Sequence, residues 1–250
     1  MKLKNKIMII LGLCFSLCIG SYFIITKMFE NLENQLMEKC RIEALTGSRV
    51  MAELMSFMIT KNIINESDIF DTNYIEIEGT NPKKYHTKYD RLFDKYIQKI
   101  EDEFLLDPDV QYAVLIDKNG YVPTHNSKYS KAETKNYAVD LKNSRSKRNF
   151  SNYISIKKIL EYRGNDTINV LYHQDTGEII WNIGAPVILK DKYWGSFIIG
   201  ISLKRINDIK NQTLIMIVTI MFVILSLTLL ALFAIIPKKL LASEHDEQIY

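Results

Sequence analysis

Two uncharged apolar runs constrain this 250-residue chain more than any other feature. The first reads IMIILGLCFSLCIGSYFIIT, Ile7 to Thr26, and the second LIMIVTIMFVILSLTLLALFAII, Leu214 to Ile236. A helix needs about 20 apolar residues to cross a bilayer, where every backbone polar group must be satisfied internally. Both runs meet that length, and the second is too long and too free of polar interruption for a buried core helix. They predict transmembrane helices at residues 7–26 and 213–236, with cytoplasmic ends at 1–6 and 237–250. Residues 27–212 are then an extracytoplasmic domain, and the protein a two-pass component of the cell membrane. Lys2, Lys4 and Lys6 before the first run, and Lys238 and Lys239 after the second, set this orientation. The lysine-rich middle does not oppose it, because long translocated domains are largely exempt from the positive-inside count. The first run has an alternative as a cleaved signal peptide, with Cys18-Ile19-Gly20 as the site. It exceeds an h-region of about 7–15 residues, and a helical pattern continues beyond it, so an uncleaved anchor is expected.

The remaining bulk features exclude more than they assign. A net charge of +3 marks neither a nucleic-acid-binding polycation nor an acidic tail, and no nucleic-acid partner is expected. Cys14 and Cys18 fall in the first span, which leaves Cys40 alone in the exported part and no intrachain disulfide there. The domain must be stable through its core. A lipobox reading of LGLC fails for want of a small residue before Cys14.

Beyond the first span the helical period persists. Phe29, Leu32, Leu36, Cys40, Ala44, Gly47, Met51, Leu54 and Met58 recur at three-and-four spacing. This is a long amphipathic helix whose stripe is either a dimer seam or the face docked on the domain. A second helix carries Tyr89, Leu92, Phe93, Tyr96, Ile97, Ile100 and Phe104, and ends at DPD. Strand-like runs follow: VQYAVLID and YVPT across the turn KNG, then TINVLYH, EIIWNIGAPVIL and YWGSFIIGISL, joined by the turns DTG and KDK. The polar middle, residues 126–164, holds one helix at SIKKILEYR. The order predicts an α+β fold. A five-stranded antiparallel sheet would carry the long helix on one face and the insertion on the other, as in PAS-like sensor domains.

The blocks IEGTNPKKYHTKYD, DKNGYVPTHN, DLKNSRSKRNF, YHQDTGE and YWGSFIIG occur in this order. Together they resemble the periplasmic Cache-type sensor domains of bacterial methyl-accepting chemotaxis proteins, over roughly residues 75–201. Ser144 stands where that family usually has asparagine, and Asn182 where it usually has aspartate. The resemblance implies a ligand-binding, signal-transducing module. A HAMP linker and signalling coil would follow in that family, whereas PKKLLASEHDEQIY is too short for either, so the transmitter part is expected to be absent.

Ligand-binding candidates are Tyr121, His125, Asn126, Arg145, Arg148, Tyr172, Trp181 and Asn182. Arg145 and Arg148 have the donor geometry to clamp a carboxylate, or belong to a solvated basic loop. His125 either donates to a ligand and senses pH near neutrality, or ties the PTHN turn to the backbone. Tyr172 and Trp181 can wall an apolar pocket with a polar tip. Trp194 reads as sheet core, and Gly120 and Gly177 as turn formers. His86, His125 and His173 lack metal-site spacing, and no nucleophile elbow, phosphate loop or haem motif is present. No metal, no cofactor and no catalysis are expected.

The expected function is that of a chemoreceptor-type sensor which transmits ligand-induced helix displacement across the membrane. Its partners would be a small-molecule ligand, the membrane, and a second copy of the chain or a full-length receptor. The alternatives are a stand-alone modulator of such a receptor and an exported binding module without signalling.

Overall fold

A computed structural model describes residues 3–235. The expected C-terminal tail, residues 237–250, lies outside the described residues, as do Met1 and Lys2. The chain divides into a compact unit, Leu36–Ile206, and the segments on either side of it.

The flanking segments are helical. Helix α1 runs from Leu3 to Thr60 and α6 from Leu203 to Ile235. Each is long and apolar enough to cross a membrane, and each apolar stretch is exposed in the isolated chain. Lys210 Nζ approaches Glu33 at 3.5 Å and sits 6.0 Å from the centre of the Phe29 ring.

In the compact unit, short α2 (Glu66–Ile69) leads to a small hairpin, β1 (Ile75–Ile77) with β2 (Lys84–His86), and then to α3 (Asp90–Glu103). The insertion contributes α4 (Tyr137–Asn143) and α5 (Ile154–Glu161). The central sheet is antiparallel, with β3 (Val110–Asp117), β6 (Ile168–His173), β7 (Ile179–Leu189) and β8 (Lys192–Ser202) in the order β3-β8-β7-β6. The architecture is thus α+β, with a long N-terminal helix and an antiparallel central sheet. The β6–β7 turn places Gly177 at φ +82°, a left-handed conformation that glycine adopts without a steric penalty.

The sheet has four strands rather than the five expected. The run after the KNG turn forms only the short β4 (Tyr121–Val122), which pairs with β5 (Arg148–Asn149) in the insertion. Pro123 has no N–H to continue a ladder. Carbonyls in and just before β4 turn to the insertion instead: Lys147 N–H donates to Val122 O at 2.8 Å and Phe150 N–H to Gly120 O at 2.7 Å.

Alternation along β3 sends Tyr112, Val114 and Ile116 to one face and Ala113 and Leu115 to the other. The first face packs with Val122, Phe150, Ile156, Ile159, Tyr172, Ile180 and Ile198 into one core cluster beneath the insertion. Burying each such large side chain stabilises by roughly 1.5–3 kcal/mol. On the opposite face Phe197 meets Phe104, with ring centroids 5.1 Å apart, and lies against Gly47 of α1. A Cβ on Gly47 would fall 2.1 Å from the Phe197 ring, so only glycine lets helix and sheet approach this closely.

The amphipathic stripe of α1 is therefore a docked face, with Leu36, Cys40, Ala44 and Met51 buried. Met55 is buried where the pattern named Leu54, which is half-buried. Trp194 is core, as expected. Its Nε1–H donates to Ile69 O at 2.8 Å, and its ring packs on Tyr89 and Phe93.

Candidate ligand-binding site

A cavity of about 30 Å³ lies between the sheet and the insertion. Its polar lining is Tyr112, His125, Arg145, Tyr172 and Asn182. Its apolar lining is Val114, Ile116, Val122, Phe150, Ile156 and Ile198. Strand alternation delivers Tyr112 and Asn182 to the same side of the sheet. Arg145 is positioned by its own backbone, whose N–H donates to Tyr129 O at 2.7 Å next to the Ser130–Ser144 bridge.

The two arginines are not a solvated loop: Arg145 is 5% exposed and Arg148 7%. Arg145 Nη2 donates to the Tyr172 hydroxyl at 2.9 Å, and Nη1 to Asp175 Oδ1 at 3.1 Å. Arg148 Nη2 donates to Asp175 Oδ2 at 3.1 Å. Both also donate to Leu141 O, at 3.3 and 3.0 Å, and both guanidinium carbons sit 4.9 Å from the Phe150 ring centre. Burial pushes the Asp175 carboxyl up, yet Arg145 and Arg148 outweigh it and hold the group below its ordinary value. Burial and the neighbouring Arg145 lower Arg148. One carboxylate faces two guanidinium groups, which leaves a positive charge uncompensated.

His125 is buried, with its ring edge-on to Tyr112 and Tyr129 at 5.6 and 5.2 Å. Burial pushes its pKa down to about 3, and Arg145 adds to the effect. It is neutral near pH 7, which removes the expectation of pH sensing near neutrality. Its Nδ1 lies 2.9 Å from Asn126 Oδ1, an acceptor, so the ring is the Nδ1–H tautomer. The ring thus bonds the Asn126 side chain rather than the backbone, and the turn is tied by Gln98, whose Nε2 donates to His125 O at 2.8 Å. Asn182 is fully buried. Its Oδ1 accepts a short hydrogen bond from the Tyr112 hydroxyl, and its Nδ2 has no partner.

Of the eight sequence candidates, His125, Arg145, Tyr172 and Asn182 line this cavity. Trp181 does not: its strand neighbour Asn182 faces the cavity, so alternation turns Trp181 to the other side. Tyr121 is buried elsewhere, where its hydroxyl lies 2.7 Å from Asp90 Oδ2 and 2.9 Å from Tyr85 O and has one hydrogen to donate between them. Asn126 stands behind His125. Arg148 lines a separate open groove of about 670 Å³ with Tyr74, Tyr85 and Tyr153, and touches the site through Asp175. Sequence reasoning missed Tyr112 and Phe150 as lining, and Asp175, read there as a turn acid, as the partner of both arginines. The same-face spacing of Tyr112, Val114 and Ile116 was the available signal for the first.

No protein-family model matches this chain, and no curated protein sequence does. Solved structures similar to it include the sensor domain of E. coli DcuS, at 17% identity and TM-score 0.34, covering 46% of this chain and 72% of that one. The sensor domain of the V. cholerae histidine kinase DctB aligns at 14% identity and TM-score 0.31, over 74% of this chain and 59% of that one. A PAS domain of an HTR-like protein from Haloarcula marismortui aligns at 12% identity and TM-score 0.29, over 46% and 98%. At these values the likeness assigns neither a family nor a ligand.

Proposed function

We propose that the chain is a membrane-anchored sensor of the chemoreceptor type, which binds a small anionic molecule outside the cytoplasm and does not turn it over. The observation that carries this reading is the cavity, where buried Arg145 has only a carboxylate that it shares with Arg148 and the Asn182 amide has an unused donor. An unmade hydrogen bond at a buried group costs about 1–3 kcal/mol, which a ligand acceptor would recover. The paired guanidinium donors suit a carboxylate.

Two apolar helices supply the anchoring, with residues 27–212 as the exported part. Chain connectivity supplies the route outward. Strand β8 passes at Ser202 directly into α6, and the α1 helix that docks on the sheet also carries the first apolar segment. A ligand that fits one packing of the domain better than another shifts the equilibrium by its differential affinity. That shift is transmitted to the membrane helices.

The test is a thermal-shift screen of the full chain in nanodiscs against amino acids, organic acids and amines. A molecule that binds only the folded state raises the melting temperature. An organic anion should do so in the wild type and not in Arg145→Ala. No anion response, or a response indifferent to Arg145→Ala, contradicts the proposal.

A further inference from the structure

We propose that the cavity selects short-chain monocarboxylates without an amino group and rejects the corresponding amino acids. The inference rests on reading this cavity as the ligand site and specifies what it admits.

The carboxylate and the carbonyl oxygens that meet the site's polar groups are already engaged, and the acceptor left over, His125 Nε2, carries no charge to pair with an ammonium group. Asp175 receives Arg145, Arg148 and the Tyr153 hydroxyl, the last at 3.2 Å. Leu141 O receives both arginines, and Asn182 Oδ1 receives Tyr112. An ammonium group entering here would lie near a buried guanidinium with no carboxylate of its own. An unpaired buried charge of that kind is strongly unfavourable. Apart from the neutral His125 Nε2, the open valences are of the opposite kind, namely the surplus positive charge and the unpartnered Asn182 Nδ2. Both call for oxygen acceptors.

The rest of the wall is hydrocarbon from Val114, Ile116, Val122, Ile156 and Ile198. It suits an alkyl tail and gives a second carboxylate nothing to bond. Size sets the length. A cavity of about 30 Å³ restricts the site to the smallest ligands, here acids of about two to four carbons. A 2-oxo acid fits best, with its carboxylate toward Arg145 and its keto oxygen accepting from Asn182 Nδ2.

The test compares acetate, propionate and pyruvate with glycine, alanine and succinate, by calorimetry on the full chain in nanodiscs. Pyruvate and propionate should bind more tightly than alanine by about tenfold or more, a difference of about 1.4 kcal/mol. Asn182→Asp should reverse the order, because it supplies the missing carboxylate for an ammonium group. If wild-type protein binds glycine or alanine as tightly as the deaminated acids, and Arg145→Ala abolishes that binding, the inference is overturned while the sensor reading stands. If none of the six binds, the inference is overturned, and the sensor reading is decided separately by the wider anion screen. The wild-type comparison decides even where Asn182→Asp fails to fold.

Discussion

Arg145 Nη1 lies 3.1 Å from Asp175 Oδ1, and this contact ties the insertion to the hairpin between β6 and β7. With Arg148 on the other carboxylate oxygen, Asp175 is the only counter-charge that either buried arginine finds among the described ion pairs.

Asp175→Asn should therefore destabilise the domain by about 3 kcal/mol at pH 7, as removal of one partner of a buried pair does. The folded-state pKa of Asp175 is depressed, so its contribution is present above the unfolded value near 4 and is lost as pH falls below it. Melting of wild type and Asp175→Asn across pH 7 to 3 checks this. The gap between them should shrink only at the acid end.

His125 behaves in the opposite way to a neutral-pH sensor. Its folded pKa of about 3 lies below the unfolded value near 6.5, so the unfolded chain takes the proton first. Stability from His125 is complete above about pH 6.5 and falls by about 1.4 kcal/mol per pH unit below it. His125→Gln should remove that slope between pH 6.5 and 4. Histidine-selective NMR should show one imidazole that stays neutral at pH 5.

Glu101 is fully buried on α3, where one carboxyl oxygen accepts from Leu115 N–H at 2.8 Å and the other has no partner. Burial raises its pKa well above the ordinary carboxylate range. The folded state then holds a proton that the unfolded chain releases, so stability declines as pH rises above the unfolded value near 4. Glu101→Gln, which has no proton to lose, should melt higher than wild type at pH 8 and no higher at pH 4.

Gly47→Ala sets helix propensity against packing. Alanine would favour the helix by about 1 kcal/mol on an exposed face. Here its Cβ meets the buried Phe197 ring, which is backed by Phe104 and has little room to turn. The packing cost, about 1–3 kcal/mol, should win. Chemical denaturation should give a lower midpoint for Gly47→Ala, and an equal or higher one would refute this account of helix docking.

The elements with strong periodicity were legible in the sequence. VQYAVLID predicted β3 residue for residue. Of the Phe29 to Met58 stripe, left open between a dimer seam and a docked face, the part from Leu36 onward is buried against the domain while Leu32 is exposed. Where local signals were weak, tertiary hydrogen bonds decided. Tyr121 and Val122 resemble a sheet strand, but the Val122 and Gly120 carbonyls accept from the insertion. The site was half legible. His125, Arg145, Tyr172 and Asn182 were named from their chemistry and converge. Trp181 was lost to strand alternation, which a one-residue offset reverses. Asp175 was hidden because a turn acid needs no partner, and only the fold brings two arginines to it from about thirty residues away.

Sensing across a membrane requires the insertion to lie on the far side of it from the cytoplasm. Exposed Lys131 reports this directly when changed to cysteine. In intact cells, Lys131→Cys should react with a membrane-impermeant maleimide as readily as a known surface control, while the unmodified chain stays unlabelled. Labelling of Lys131→Cys only after lysis, with the control labelled throughout, would contradict the account.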